Sequence, residues 1–399
     1  MSRAAARAEA LANPARTTPA FLSLGFRPFF LASGLWAAAA LVVWIAMLTH
    51  GATLPSRFDP LAWHIHEMLF GFVMATIAGF LLTAIPNWTG RLPVRGLPLA
   101  ILAGSWLLGR IACLFSAFCP AWLATSADLL FPILLAAAAA REIIAGRNWR
   151  NLVVLFPVAI LGIANLLMHL EANGVAIPPG LGWRLGLAAI IVLISIIGGR
   201  IVPSFTRNWM AKNSDAPPPA SPGRFDLAAL ITLPIALAGW AFLPDTQAVG
   251  ALLLLAAALH LWRLSRWRGL STTAEPLLLV LHIGYAWLVL GVALLGLTVL
   301  GAAIPPSAAI HALTAGAIGT MTLAVMTRAT RGHAGRPLTA DRPTILIFAL
   351  VSLAAITRIA AALSTTWTMP LLIAAATLWI AAFISFVVVY APMLLLRRR

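Results

Sequence analysis

The chain has 399 residues, of which 61% are hydrophobic and only 10% are charged. A water-soluble domain is typically about 45–50% apolar and about 25% charged, so this composition excludes an ordinary soluble protein and indicates a membrane protein. The formal net charge of +16 does not require a nucleic-acid partner, because the arginines lie between apolar segments, where they face the headgroups of the lipid bilayer.

The first segment, residues 1–27, carries several arginines but no apolar core behind them, so it is not a cleavable signal peptide. It predicts a short cytoplasmic arm without regular structure. A second polar stretch, residues 208–224, is rich in proline and serine and predicts a cytoplasmic linker. The linker would divide the chain into helices 1–6 in residues 28–207 and helices 7–12 in residues 225–399.

Twelve apolar segments recur between the arm and the C-terminus, and each is long enough to cross a bilayer, which takes about 20 residues. The predicted fold is therefore all-α, a polytopic membrane protein of about twelve transmembrane helices. The expected helices are roughly 28–49, 61–86, 96–117, 120–140, 151–171, 182–202, 225–243, 246–264, 276–299, 306–327, 342–363 and 369–394.

Basic residues are concentrated in every second connection between these segments, and this pattern predicts how the helices are oriented across the membrane. Arginines crowd the N-terminal arm, every second loop and the C-terminal tail, whereas the other loops are nearly free of them. By the positive-inside rule, both termini are expected in the cytoplasm. Helices 2, 6 and 10 end on this side at Arg91, Arg200 and Arg328, and these arginines are predicted to anchor the helix ends. The alternative is that they form a quinol or anion site with His333.

Helices 2 and 10 show a thin internal repeat. Aligning the two histidines pairs four positions: His66 with His311, Gly71 with Gly316, Gly90 with Gly335, and Arg91 with Arg336. Helix 6 ends comparably in GGRIVPSF, and the spacing of four helices suggests three four-helix units. The linker also fits a transporter built from two halves.

Four of the eight histidines are expected at one level near the outer surface: His64, His66, His169 and His311. Singly, each could serve only as an interfacial hydrogen-bonding group. Together they favour a functional site, because ionisable groups within membrane spans are costly and usually mark function. Imidazole ligates iron, copper and zinc, and two facing histidines can hold a haem iron. His282 lies about two turns from the cytoplasmic end of helix 9 and is a further candidate ligand.

The motif WHIHEMLFGF, residues 63–72, places two of these histidines beside a carboxylate. In a regular helix, His64 and His66 point about 200° apart and would serve two different sites. His64 would share its face with Glu67, and His66 with Phe70. His64 and Glu67 are the predicted catalytic pair, with Glu67 carrying protons.

Charged and sulfur-bearing residues add three further interpretations. Arg110 in helix 3 and Asp128 in helix 4 predict an ion pair bracing these helices; the alternative is that Arg110, like Arg358, binds a haem propionate. A disulfide between Cys113 and Cys119 is disfavoured, because Cys113 is expected inside helix 3.

Six motifs resemble the NnrS family of haem- and copper-containing bacterial membrane proteins. They are GFRPFF (25–30), WHIHEMLFGF (63–72), GFLLTAIPNWTGR (79–91), GGRIVPSFTRNW (198–209), LHIGYAWLVLG (281–291) and HALTAGAIGTMTLAVMTRATRGHAGRPL (311–338). The resemblance implies a multi-pass protein of the bacterial inner membrane that carries haem and copper. It also implies a role in defence against nitric oxide and in denitrification.

A weaker likeness to haem–copper oxidases and nitric oxide reductases implies that His66 and His311 ligate one haem. Helices 6 and 7 have no histidine, so the usual copper ligands of those enzymes are missing, and a second metal would draw on His64, Glu67, His169 or His282. Three functions remain open: a haem-dependent oxidoreductase acting on nitric oxide with quinol or another electron donor, a transporter of a metal, haem or iron–nitrosyl species, and a sensor without turnover.

Overall fold

The computed structural model describes residues 18–397, is 80% helical, and contains no strand within that range. Twelve of its helices are long and apolar enough to cross a membrane, which confirms the predicted all-α polytopic fold. Residues 1–17 of the predicted arm lie outside the described residues. The rest of that arm contains a short 3₁₀-helix, Ala20–Leu22, and the start of the first membrane helix.

The twelve helices are named α1 to α12 in chain order. Their bounds are Phe26–His50, Pro60–Thr89, Leu97–Leu114, Ala121–Ala145, Trp149–Ala172, Leu181–Asn213, Arg224–Phe242, Gln247–Ser265, Pro276–Val299, Pro306–His333, Arg342–Leu363 and Thr368–Leu395. Most ends agree with the hydropathy pattern to within a few residues, because apolar length is what determines a membrane span.

Two compact units make up the protein. The first consists of Met1–Trp183, Ala329–Arg336 and Phe386–Arg399, and the second of Arg184–Arg328 and Pro337–Ser385. Helices α1–α5 therefore belong to the first unit, and α7–α9 and α11 lie wholly in the second. The predicted division of the chain into two halves at the linker stays a prediction, and so does the division into three four-helix units.

Helix α6 is longer than expected. It was predicted over 182–202 but continues to Asn213, so the first part of the predicted linker is helical. The chain leaves the helix just before a run of three prolines, residues 217–219, which lack the N–H groups that a continuing helix needs.

Helices α2 and α10 are not regular throughout, contrary to the prediction of a regular helix over 61–86. Each contains a seven-residue π-helical segment, Glu67–Val73 in α2 and Ala312–Ile318 in α10. In α2 the indole Nε1 of Trp106 donates a hydrogen bond to the carbonyl of Gly71 at 2.9 Å, so a side chain enters the backbone ladder. Segments of this kind are rare and often lie at functional sites.

Candidate metal centre

A network of buried polar side chains lies inside the first unit, where four helices contribute to it. Within the described part of the chain these residues are 0–3% exposed, and they are His66 and Glu67 from α2, Arg110 and Cys113 from α3, Asp128 from α4, and Asn165 and His169 from α5. Charged groups are almost never fully buried unless they are paired, so their partners define what the network can do.

Asp128 is at the centre of this network. Its Oδ2 accepts hydrogen bonds from Asn165 Nδ2 at 2.8 Å and His169 Nε2 at 3.1 Å, and it lies 3.2 Å from His66 Nε2. Its Oδ1 pairs with Arg110. Four groups from three other helices therefore converge on one carboxylate, which compensates the cost of burying its charge.

The approach of α3 to α4 depends on one glycine. A Cβ atom at Gly109 would lie 2.5 Å from Asp128 Oδ1 and 3.1 Å from the Asp128 Cα. Only a residue without a side chain lets the two helices come this close, so Gly109 makes the Arg110–Asp128 pair geometrically accessible.

Glu67 forms a second layer of contacts around His66. Its Oε1 accepts from His66 Nδ1 at 3.0 Å, while its Oε2 accepts from Arg110 Nη1 at 2.7 Å and from Trp36 Nε1 at 2.8 Å. A carboxylate on one ring nitrogen fixes the ring orientation and makes the other nitrogen a better metal ligand. Glu67 thus holds His66 with its Nε2 directed toward Asp128.

Four side chains can together hold a metal ion. The ligand atoms of His66, Cys113, Asp128 and His169 all lie within 4.8 Å of one another, and Cys113 Sγ is 4.0 Å from His169 Nε2. Ligands at about 2.0–2.3 Å from a tetrahedral metal lie about 3.3–3.8 Å apart, so the side chains need to close by only about 1 Å. Two imidazoles, a thiolate and a carboxylate suit copper or zinc.

The buried charges balance with or without such an ion. Both ring nitrogens of His66 face acceptor oxygens, so the ring is a double donor with a positive charge, which together with Arg110 offsets Glu67 and Asp128. A divalent ion that takes Cys113 as thiolate and His66 as neutral imidazole leaves the total unchanged. The cluster can therefore exchange protons for a metal without leaving an uncompensated buried charge.

The residues predicted around the histidine motif are only partly brought together. His64 is not among the four candidate ligands: its ring stacks on Trp44, with centroids 4.7 Å apart and planes at 16°. His66 packs on Phe70 as predicted, with centroids 5.1 Å apart. Glu67 was expected on the face of His64, but its Oε1 accepts from His66, and the π-helical segment begins at this residue.

The ion pair predicted between Arg110 and Asp128 is present, and it does brace α3 against α4. Arg110 additionally binds Glu67, so it joins three helices rather than two. Cys113 and Cys119 are free thiols, which agrees with the disfavoured disulfide.

Two other predicted ligands, His311 and His282, lie in the second unit. His311 Nδ1 donates to the carbonyl of Ser307 at 2.7 Å, and Arg358 Nη2 donates to the hydroxyl of Ser307 at 3.0 Å. His282 Nε2 lies 3.0 Å from Thr206 Oγ1. Since His66 belongs to the other unit, its predicted sharing of one haem with His311 stays a prediction.

The predicted inner-face residues have separate surroundings. Arg91 forms an ion pair of 2.5 Å with Glu142, the Arg328 guanidinium lies 4.2 Å from the Phe205 ring centroid, and Arg200 is exposed. His333 stacks on Phe26 with centroids 5.4 Å apart. Whether these groups anchor helices or form a quinol or anion site stays a prediction.

Three members of the network were missed as candidate ligands or ligand partners. Cys113 was considered only for a disulfide, Asp128 only for an ion pair, and Asn165 not at all. Helical spacing offered a signal, because Cys113 follows Arg110 by three residues and Asn165 precedes His169 by four, which puts each pair on one face.

Comparison with models of protein families gives a match over most of the chain. The family model described as NnrS protein matches residues 20–398, nearly the whole chain, while no curated protein matches. The matched region contains all twelve membrane helices and the buried cluster of the first unit. The chain therefore belongs to the NnrS family, whose members are membrane proteins linked to the nitric oxide response.

Proposed function

We propose that the protein is a copper- and haem-binding protein of the bacterial inner membrane that binds nitric oxide at a buried metal centre and consumes it. The observation that supports this proposal most is the four-ligand cluster of His66, Cys113, Asp128 and His169, because it combines metal-ligand chemistry with complete burial in an apolar bundle. Nitric oxide is small and apolar, so it can enter such a site from the lipid.

The donor set favours copper over other metals of the first transition series. A thiolate selects cuprous copper and zinc over harder ions, and imidazole suits both. Two histidines with one cysteine are also the ligands of electron-transfer copper sites, in which a weak fourth ligand tunes the potential. Copper would supply one-electron chemistry when bound, which zinc cannot, so a role of this cluster in nitric oxide consumption favours copper over zinc.

The surrounding side chains have distinct roles in this proposal. Glu67 orients His66 by accepting a hydrogen bond from its Nδ1, and Arg110 forms ion pairs with both carboxylates. Asn165 donates to Asp128 and accepts from His66, so it fixes both without adding charge. Water is kept away by burial, which strengthens each of these electrostatic interactions.

Haem, the second group that the resemblance implies, fits His311 better than His66. The Nδ1–H of His311 donates to a backbone carbonyl, as is common for histidines that ligate a metal through Nε2. His66 has its Nδ1 held by Glu67 and its Nε2 directed at Asp128, so it belongs to the metal cluster. The proposal therefore assigns the two histidines to different cofactors.

Metal analysis and gas consumption test the proposal together. The purified full-length protein is expected to bind about one copper ion at the cluster and to consume nitric oxide under reducing conditions. His169→Ala should lose that copper while His64→Ala, its control at the same predicted membrane level, keeps it. Loss of copper without loss of nitric oxide consumption would contradict the catalytic part, and copper retained in His169→Ala would contradict the site.

The same measurements separate the remaining functions. A sensor would bind nitric oxide without consuming it, so the gas concentration would fall only by one equivalent per site. A transporter would move its substrate between compartments of sealed vesicles, with equal rates in the presence and absence of a reductant.

A further inference from the structure

The first three helices of the chain and the helices α9–α11 share a local pattern. In α2 the π-helical segment Glu67–Val73 begins directly after His66, and in α10 the segment Ala312–Ile318 begins directly after His311. Both segments have the same length and the same register from the histidine. A thin sequence repeat is thus accompanied by a matching and uncommon backbone geometry.

Packing around the two segments matches as well. The glycine five residues after each histidine lies against a tryptophan of the preceding helix: a Cβ atom at Gly71 would overlap the indole of Trp36, and one at Gly316 would lie 2.7 Å from Trp287. In each unit an arginine of the next helix contacts a residue close to the histidine. Arg110 binds Glu67 in the first unit, and Arg358 binds Ser307 in the second.

The two copies differ in their acidic residues. Arg110 binds two carboxylates, one of them Glu67, and the position equivalent to Glu67 in the second copy is Ala312. Among the described residues no carboxylate lies within ion-pair distance of Arg358, which donates a hydrogen bond to the hydroxyl of Ser307. The second copy has therefore kept the histidine and the arginine but not the negative charge.

A half-buried guanidinium inside a membrane helix needs a counter-charge. It has five N–H donors, and a cation within a membrane span is costly unless it is paired. From this pattern we infer that Arg358, Ser307 and His311 form a binding site for an oxyanion, which supplies the negative charge that Glu67 supplies in the first unit.

The local hydrogen bonds prepare this site. Ser307 accepts from Arg358 through its hydroxyl and from His311 through its carbonyl, so the three residues are held in one orientation. The hydroxyl proton of Ser307 and the remaining N–H groups of Arg358 are left to donate to the ligand. A planar guanidinium binds a carboxylate or similar oxyanion through two parallel hydrogen bonds, which gives both affinity and orientation.

Three sources could supply this chemistry: a free small oxyanion, the phosphate of a lipid headgroup, or a carboxylate of bound haem. Sodium nitrite probes the free oxyanion. Nanodiscs of phosphatidylglycerol, compared with phosphatidylcholine, probe the lipid phosphate, and iron protoporphyrin IX, compared with its dimethyl ester, probes the haem carboxylate. The site is in the second unit and needs no metal at the cluster of the first, so its failure would leave the copper proposal untouched.

The experiment measures the unfolding midpoint of the full-length protein and the apparent affinity for each probe. At least one oxyanion probe is expected to stabilise the wild type over its neutral or chloride control, with affinity falling at least tenfold in Arg358→Gln and several-fold in Ser307→Ala. Arg342→Gln removes the same charge from the opposite end of α11 and should leave binding unchanged.

Each outcome bears on the proposal. A response to one probe alone identifies the source and supports the site, provided that Arg358→Gln abolishes it. The proposal would be overturned if Ser307→Ala responded to all three probes as the wild type does, and if Arg358→Gln, where it folds, did so too.

Discussion

Metal binding to the four-ligand cluster should release a number of protons that the buried charges determine. Without a metal, His66 donates from both ring nitrogens, to Glu67 and toward Asp128, and its charge together with Arg110 balances the two carboxylates. A divalent ion must displace the Nε2 proton of His66 and the thiol proton of Cys113. Otherwise a net charge would remain in a site whose residues are at most 3% exposed, at a cost of several kcal/mol.

The expected magnitude follows from this exchange. His169 changes only the position of its proton, so two protons leave for each divalent ion bound. The apparent affinity for zinc, which is redox-silent and accepts the same ligands, should then rise about 100-fold for each unit of pH. The reason is that the apparent association constant of a metal that displaces two protons varies with the inverse square of the proton concentration. A cuprous ion that leaves the thiol protonated would release one proton and show about a tenfold rise.

The assay is a zinc titration of the purified full-length protein in weak buffer with an indicator dye. Cys113→Ser should release one proton rather than two and bind zinc more weakly, because only the exchange at His66 remains. Cys119→Ser changes the other free thiol, which is not among the four ligands, and should behave as the wild type. Equal proton release by the wild type and Cys113→Ser would refute the charge argument, even if zinc bound.

The remaining predictions concern stability and topology. Arg110→Leu should lower the free energy of unfolding by about 3–5 kcal/mol, because it leaves one negative charge of the two buried carboxylates uncompensated. Arg91→Leu, whose side chain is 44% exposed, should cost at most about 1 kcal/mol in the same denaturant titration. Gly71→Ala should cost about 1–3 kcal/mol, measured in the same way, because its Cβ would overlap the indole of Trp36. A reporter fused after Arg399 should be active in the cytoplasm, and activity only outside the inner membrane would contradict the predicted orientation.

Hydropathy predicted the twelve helices because a membrane span has one dominant requirement, an apolar length of about 20 residues. The π-helical segments escaped prediction for a different reason. Nothing in the composition of Glu67–Val73 separates it from an α-helix, and the hydrogen bond from Trp106 to the Gly71 carbonyl comes from a helix distant in sequence. Such a departure depends on tertiary packing.

The candidate site was predicted by depth rather than by ligand set. His66 and His169 were expected at one level near the outer surface and Arg110 and Asp128 as an ion pair, and the structure joins all four in one network. Depth alone gives no helix rotation, so it could not show that Cys113 faces the same interior. His64 and His66 were predicted to serve different sites because residues at i and i+2 point apart, and His64 as a ligand of a second site stays a prediction.

The two copies of the histidine segment suggest how one local fold can serve two ligands. The shared features are steric: a π-helical segment and a glycine under a tryptophan set the position of the histidine. The features that differ are electrostatic, since Glu67 in one copy corresponds to Ala312 in the other. Where the protein supplies the carboxylate, the arginine is neutralised internally and the remaining donors converge on a cation. Where it does not, the same arginine is left to attract an anion.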